Sequence, residues 1–212
     1  SARRKKHDIK RGVTTLVGGL TEVITNSDKS HQDLIRSGYK YEEDPFIKIE
    51  IWKKDDKVQI TDNAAGFCAK YDDDTKKFTF AESAEDGIEG FAKYGEKKES
   101  HTENARNLFG AGLADTILQD EDKRQGRITW KKPGGDTRSF TFIPEEEQDF
   151  LLADQSPDDD TKKQVSDHGT CVTFFWKRKR KPIPNAEDLK EKIETWYELK
   201  NILNPKRKNK VK

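Results

Sequence analysis

Methionine is absent from all 212 residues, and cysteine occurs only at Cys68 and Cys171. Two thiols without paired spacing make neither a metal cluster nor a disulfide framework, and read instead as buried, reduced side chains. No apolar run is long enough to span a bilayer, and no secretory leader pattern is present. These absences lead us to expect an intracellular protein without a membrane partner, cytoplasmic or, in a eukaryote, nuclear. Apolar residues are scarce at 31% and charged ones abundant at 38%, so a core requires that loops and tails absorb much of the charge. Aromatics at 9%, four tryptophans among them, argue against wholesale disorder. Net charge is also lacking, at +1, yet its distribution is uneven. Arg3-Arg4-Lys5-Lys6 and Lys206-Arg207-Lys208 make both ends basic, whereas Glu145-Glu146-Glu147 and Asp158-Asp159-Asp160 are acidic. The missing methionine, position one included, suggests a trimmed or excised chain, and the basic ending suggests further domains beyond Lys212.

What is present divides into periodic segments. Leu16, Leu20, Val23 and Ile24 form a helical stripe over residues 14–28, which Thr14 or Thr15 would cap. Gly18-Gly19 inside that stripe suggests close approach of another backbone. Residues 46–52 alternate apolar and polar, and after Asp55-Asp56-Lys57 the run 58–62 returns, which predicts a hairpin. Residues 64–109 are mixed, with a short helix expected at 83–94. Such a stretch between two glycine-bearing loops has the character of a lid over about 67–113. A helix is expected over 112–118, strands over 126–131, 139–143 and 170–176, and a last helix from Asn185 towards Ile202. The order indicates an α+β fold, with a sheet carrying helices on one face.

Four dispersed pieces carry chemistry. Glu22 and Asn26 stand one helical turn apart on one face, and a hard amide oxygen beside a carboxylate suits a Mg²⁺ ligand beside a water-activating base. Asp62, at a strand end, can accept a hydrogen bond from an exocyclic amine, and Gly66 lets a flat base approach the backbone. Phe109-Gly110-Ala111-Gly112-Leu113, just ahead of a helix, offers free backbone N–H groups to an anion. It is not a Walker loop, because no Gly-Lys-Ser/Thr follows. Thr170, after Gly169, can reach a ligand with its hydroxyl. Taken singly, each piece also suits an ordinary structural role: a solvated helix face, an Asp-Asn turn, a glycine hinge, a strand-start threonine. His168 is assigned no role.

In this order the four pieces resemble the GHKL superfamily of ATPases, which includes gyrase B, heat-shock chaperones, histidine kinases, MutL and MORC proteins, over about residues 14–176. The resemblance implies the Bergerat fold, a two-layer α/β sandwich with a mixed, mostly antiparallel sheet. It implies ATP and Mg²⁺ as ligands, Glu22 as the catalytic base and Asn26 as the metal ligand. It places Asp62 on the adenine amine, with Gly66 and Phe67 in the adenine box, Gly110, Ala111, Gly112 and Leu113 in the glycine loop of the lid, and Thr170 in the final Gly-Thr box. Two positions depart from the pattern. Ala64 stands where glycine is usual, and Asp28 comes one residue before the usual aspartate position, which holds Lys29.

The expected organisation is a basic lead over 1–13, a nucleotide domain over 14–180, and a C-terminal helix with a basic tail over 181–212. The leading function is Mg²⁺-dependent ATP binding and slow hydrolysis that drive lid closure and homodimerisation. The alternative is a nucleotide-gated interaction module with little turnover in a chromatin, repair or defence protein. A third class, a nucleic-acid binder without an ATP site, rests on the basic ends, which also allow DNA contact beside an ATPase.

Overall fold

The computed structural model describes residues 15–67, 69–93, 112–144, 150–165, 167–179, 182–196, 199 and 202. The first helix, α1 (Leu16–Arg36), is capped by Thr15, whose hydroxyl accepts the Gly18 N–H at 3.1 Å. It runs two turns beyond the expected end, because Ser27, His31 and Leu34 continue the buried stripe of Leu20, Val23 and Ile24. Gly38, at φ +82°, follows it. The predicted hairpin is β1 (Ile47–Trp52) with β2 (Lys57–Asp62), turning at Asp56 with φ +51°.

A small hairpin, β3 (Lys70–Asp72) and β4 (Lys77–Thr79), precedes α2 (Ala84–Lys93). That hairpin was not expected, since its strands of three residues are too short to show alternation. Next come α3 (Gly112–Ile117), β5 (Gly126–Lys131), β6 (Thr137–Pro144) and β7 (Phe150–Asp154). Then follow α4 (Asp159–Lys163), β8 (Gly169–Phe175) and α5 (Ala186–Thr195). Strand β7 and helix α4 lie in the acidic stretch, where the sequence analysis assigns no element. Asp158 caps α4 by accepting the Thr161 N–H at 2.7 Å, and Asn185 caps α5 through Asp188 N–H at 2.7 Å. Helix α5 ends at Thr195, short of the expected Ile202. Leu199 and Ile202 still pack on the core.

The main sheet has six strands in the order β1-β2-β8-β5-β6-β7, and every described pairing is antiparallel. Residues directly opposite one another share a face, so the register defines cross-strand rows. One row reads Ile51, Val58, Phe174, and the next Ile49, Ile60, Val172, Ile128, Phe140. These side chains meet Leu16, Leu20, Val23 and Ile24 of α1 and Leu113, Ala114 and Ile117 of α3 in one core. Each fully buried Leu, Ile or Phe contributes about 1.5–3 kcal/mol. The expected α+β, two-layer architecture is therefore present.

The opposite face is polar. Gln59, Thr129, Ser139, Thr141 and Cys171 are buried there. The segment after β7 packs on this face: Thr141 donates to Gln155 Oε1 at 2.5 Å, and Arg127 donates to Thr161 Oγ1 at 2.7 Å. Helix α4 thus lies against the second face, an addition to the expected one-sided arrangement. Buried Cys171 accords with the reading of a reduced, enclosed thiol, and its burial pushes the thiol pKa up. Cys68 lies outside the described residues.

Candidate functional site

The helix-facing side of the sheet has one row that is not apolar. At the end of the strands, Ile47, Asp62, Thr170, Trp130 and Arg138 stand opposite one another in register. Two apolar rows followed by a polar one mark where the core gives way to a place for polar chemistry.

Asp62 is 5% exposed and its carboxylate accepts three hydrogen bonds. Ser27 donates to Oδ2 at 2.6 Å, while the Ala64 and Thr170 N–H groups both reach Oδ1 at 3.0 Å. Ser27 follows Asn26 on α1, so the helix of the first motif is stitched directly onto the aspartate of the second. Thr170 of the last motif closes the same carboxylate from β8. Burial raises the Asp62 carboxyl pKa, against which Ser27, the nearby His31 and the two N–H groups act.

Two glycines make this closure possible. Gly169 has φ +122°, and a Cβ there would lie 2.0 Å from the Asp62 carbonyl oxygen. Gly66 has φ +96°, with Lys131 O 2.9 Å from where a Cβ would stand. Ala64, at the position where the GHKL pattern has glycine, is 1% exposed, so its methyl is enclosed.

The other expected residues fall as follows. Glu22 is half-buried on α1 and Asn26 is exposed one turn on, one residue from the Ser27 contact. Lys29 is exposed and Asp28 buried. The Phe67 ring packs on Trp130 and Phe140 at centroid distances of 5.8 and 5.5 Å, inside the core side of the site. Leu113 is a core residue of α3, which Gly112 opens. Gly19 meets α3 closely, since a Cβ there would stand 2.6 Å from Thr116. Phe109, Gly110 and Ala111 lie outside the described residues.

Sequence reasoning missed a polar cluster behind Asp62. His31 is fully enclosed, and its Nε2–H donates to the Phe46 carbonyl at 3.1 Å. A carbonyl only accepts, so Nε2 carries the proton and Nδ1 takes the Tyr41 hydroxyl at 2.7 Å. Burial correspondingly lowers the His31 pKa and raises that of Tyr41. His168 donates from Nδ1 to Ala64 O at 2.8 Å and stands edge-on to Tyr39 at 5.1 Å. Asn63 ties the loop down, accepting from Phe46 N–H at 2.9 Å and donating to Asp44 O at 3.2 Å. The available signal was His31 at four residues from Ser27, hence on one helix face. Tyr41 and His168 come from separate loops and left none. No group of His, Cys, Asp and Glu among the described residues has the geometry of a metal centre.

No family model and no curated protein matches this sequence. Among solved structures, the ATP-binding domain of a topoisomerase IV from Francisella tularensis, in complex with a small-molecule inhibitor, is similar to this chain at a TM-score of 0.46 and 17% identity. The match covers 83% of this chain and 41% of that one. No helix among the described residues is long and apolar enough to cross a membrane.

Proposed function

We propose that this chain is a GHKL-type domain that binds ATP with Mg²⁺ and hydrolyses it slowly. The observation that carries the reading is the buried Asp62 carboxylate, joined by Ser27 of α1 and by the Thr170 N–H of β8 at the polar end of the sandwich. A carboxylate has about four acceptor positions, and three are taken here. The remaining capacity suits one exocyclic amine hydrogen, the group that adenine offers and guanine does not place at the same ring position.

Hydrolysis needs a water, a base and an electrophilic phosphorus. The Glu22 carboxylate would orient the water and take its proton as the new P–O bond forms at the γ-phosphorus and the bond to the β-phosphate oxygen breaks, releasing ADP. Asn26, exposed one turn away, presents a hard amide oxygen that fits Mg²⁺ as ligand. Mg²⁺, when bound, would offset the charge of the triphosphate. Gly110, Ala111, Gly112 and Leu113 would supply backbone N–H groups to phosphate, and Gly66 and Thr170 would border the base. ATP-dependent lid closure and homodimerisation belong to the same proposal, as do a cytoplasmic or nuclear location and DNA contact through the basic ends.

The first test is thermal. Millimolar ATP with Mg²⁺ should raise the unfolding temperature by mass action, and no shift removes the proposal. Glu22→Ala should keep that shift and lose phosphate release by ~10²-fold or more, the scale of a general base. Wild-type turnover by the purified variant would sink the role of Glu22. A second reading, a nucleotide-gated module with little turnover, draws on Ala64 standing where the GHKL pattern has glycine. Equal dimerisation with ATP and a non-hydrolysable analogue, without phosphate release, selects it.

A further inference from the structure

Strand β1 closes one end of the main sheet and has β2 on its inner side. Two hydrogen bonds fix which way its main chain points. The Phe46 N–H reaches Asn63 Oδ1 at 2.9 Å, towards β2. The Trp176 N–H reaches the Asp56 carbonyl at 2.7 Å, from the β8 side. The N–H and C=O of one residue point the same way, and the direction alternates along a strand. Lys57, Gln59 and Thr61 of β2 therefore face β1, where Trp52, Glu50 and Lys48 stand opposite them. Ile47, Ile49 and Ile51 are left to present their main-chain groups at the outer edge. Among the described residues no main-chain group pairs with that edge.

The side chains along this edge are complementary about Ile49. Phe46 and Trp52 are aromatic, Ile47 and Ile51 are identical, and Lys48 and Glu50 are opposite in charge. An antiparallel copy with Ile49 on a two-fold axis sets Ile47 against Ile51, Lys48 against Glu50 and Phe46 against Trp52. Ile49 then exchanges both main-chain bonds with its counterpart, and Ile47 with Ile51 on either side, about six bonds in all. Lys48 and Glu50 fall at the non-hydrogen-bonded positions, where facing side chains stand closest. Moving the axis to Glu50 sets glutamate against glutamate, and moving it to Lys48 sets lysine against lysine, both unfavourable. Main-chain direction and charge thus select the same register. Within one chain Lys48 Nζ lies 2.8 Å from Glu50 Oε1, with the side chains still 60% and 33% exposed. That pair would join a ladder of alternating charge rather than break. Apolar surface is also left to cover, because the isoleucines are only half-buried against the core and Trp52 is 37% exposed.

We propose that the β1 edge is a docking surface for a second copy of this chain, joining two six-stranded sheets into one across a two-fold axis. A lysine on an edge strand ordinarily guards against pairing. Here Glu50, two residues on, turns that guard into a key for the same strand of another copy. The contact needs no nucleotide and is separate from the ATP-dependent dimer proposed above. It is also weak, since one added strand buries less than the ~1,200 Å² that bounds transient contacts. Protein at low micromolar concentration leaves it open.

Sedimentation equilibrium without nucleotide, from roughly 10 µM to roughly 1 mM protein, reads the contact, because a weak dimer fills only near the top of that range. The wild type should dimerise there. Lys48→Glu and Glu50→Lys should each lose ~10-fold or more in self-affinity, since each sets like charges opposite one another at two symmetric places. An equimolar mixture of the two variants should recover the dimer, because one chain then brings glutamates and the other lysines. Amide hydrogen exchange at Ile47, Ile49 and Ile51 should slow as concentration rises, while Lys48 and Glu50, already bonded to β2, should not change. Unfolding temperatures without nucleotide mark each variant as folded, so the outcome is read whether or not ATP binds. A wild type that stays monomeric, single variants that associate as it does, or a mixture without recovery overturns the proposal. So does association without slowed exchange at the isoleucines. Slow exchange there already at low concentration overturns it too, because the chain would then cover its own edge.

Discussion

At the residue scale, the site turns on what surrounds one carboxylate. Asp62→Asn keeps the shape and replaces an acceptor oxygen by an amide that points hydrogens at existing donors. It should weaken ATP binding by ~10-fold or more and destabilise the fold by about 1–3 kcal/mol, the cost of a buried hydrogen-bond conflict. Denaturant midpoints and nucleotide titrations on the same sample separate the two effects. His31 gives a pH signature whose sign is fixed. Its pKa in the fold lies below the ordinary 6.5, so the unfolded chain binds the proton first as pH falls. Stability present above pH 6.5 should therefore decline as pH drops from 6.5 towards the lowered value. Asp62, with a raised pKa, acts in the opposite sense: the folded carboxyl takes its proton first, so stability is gained as pH falls from that raised value towards the unfolded 3.8 and levels off below it. Urea midpoints between pH 7.5 and 5 should fall in the wild type, and His31→Gln should flatten the slope. A slope that His31→Gln leaves unchanged contradicts the neutral His31 assigned here.

At the scale of elements, α1 is the hinge between core and chemistry. One face carries Leu16, Leu20, Val23 and Ile24 into the core, and the same turns bring Ser27 to Asp62 in the polar row. Gly19 sets how near α3 stands. Gly19→Ala should destabilise the domain by about 1–3 kcal/mol through overpacking on Thr116. Pairing it with Thr116→Ser, which removes the Cγ2 nearest the new methyl, should recover part of that loss in a double-mutant cycle. Strictly additive costs would show that the two helices adjust freely.

Much of this was legible beforehand. The stripe of α1, the alternation in β1 and β2 and the caps Thr15 and Asn185 are local signals with local causes. Helix α1 outran its expected end because Ser27 and His31 are polar yet buried, held by Asp62, Tyr41 and Phe46 from distant strands and loops. Strand β7 and helix α4 were hidden by neighbouring acidic runs, although Leu151-Leu152-Ala153 is apolar. The placing of Asp62 at a strand end could be read, whereas its Ser27 contact spans 35 residues and leaves no periodic trace.

At the scale of the whole molecule, nucleotide binding is proposed to govern assembly. Sizing with ATP, ADP and no nucleotide should show a dimer with ATP alone. A dimer population unaffected by nucleotide removes that part of the proposal while leaving binding intact.

The strand order has a consequence for how the domain is born. Strand β8 joins the β1-β2 hairpin to the β5-β6-β7 meander, and it also brings the Thr170 N–H to Asp62. A ribosome must therefore release the chain past residue 175 before either half of the sheet is sealed to the other. Until then the growing polypeptide holds two separate sheet fragments with exposed edges. A chain ending at residue 168 should be insoluble or bind chaperones. Adding the β8 segment back as a separate peptide is the natural way to switch the site on from outside.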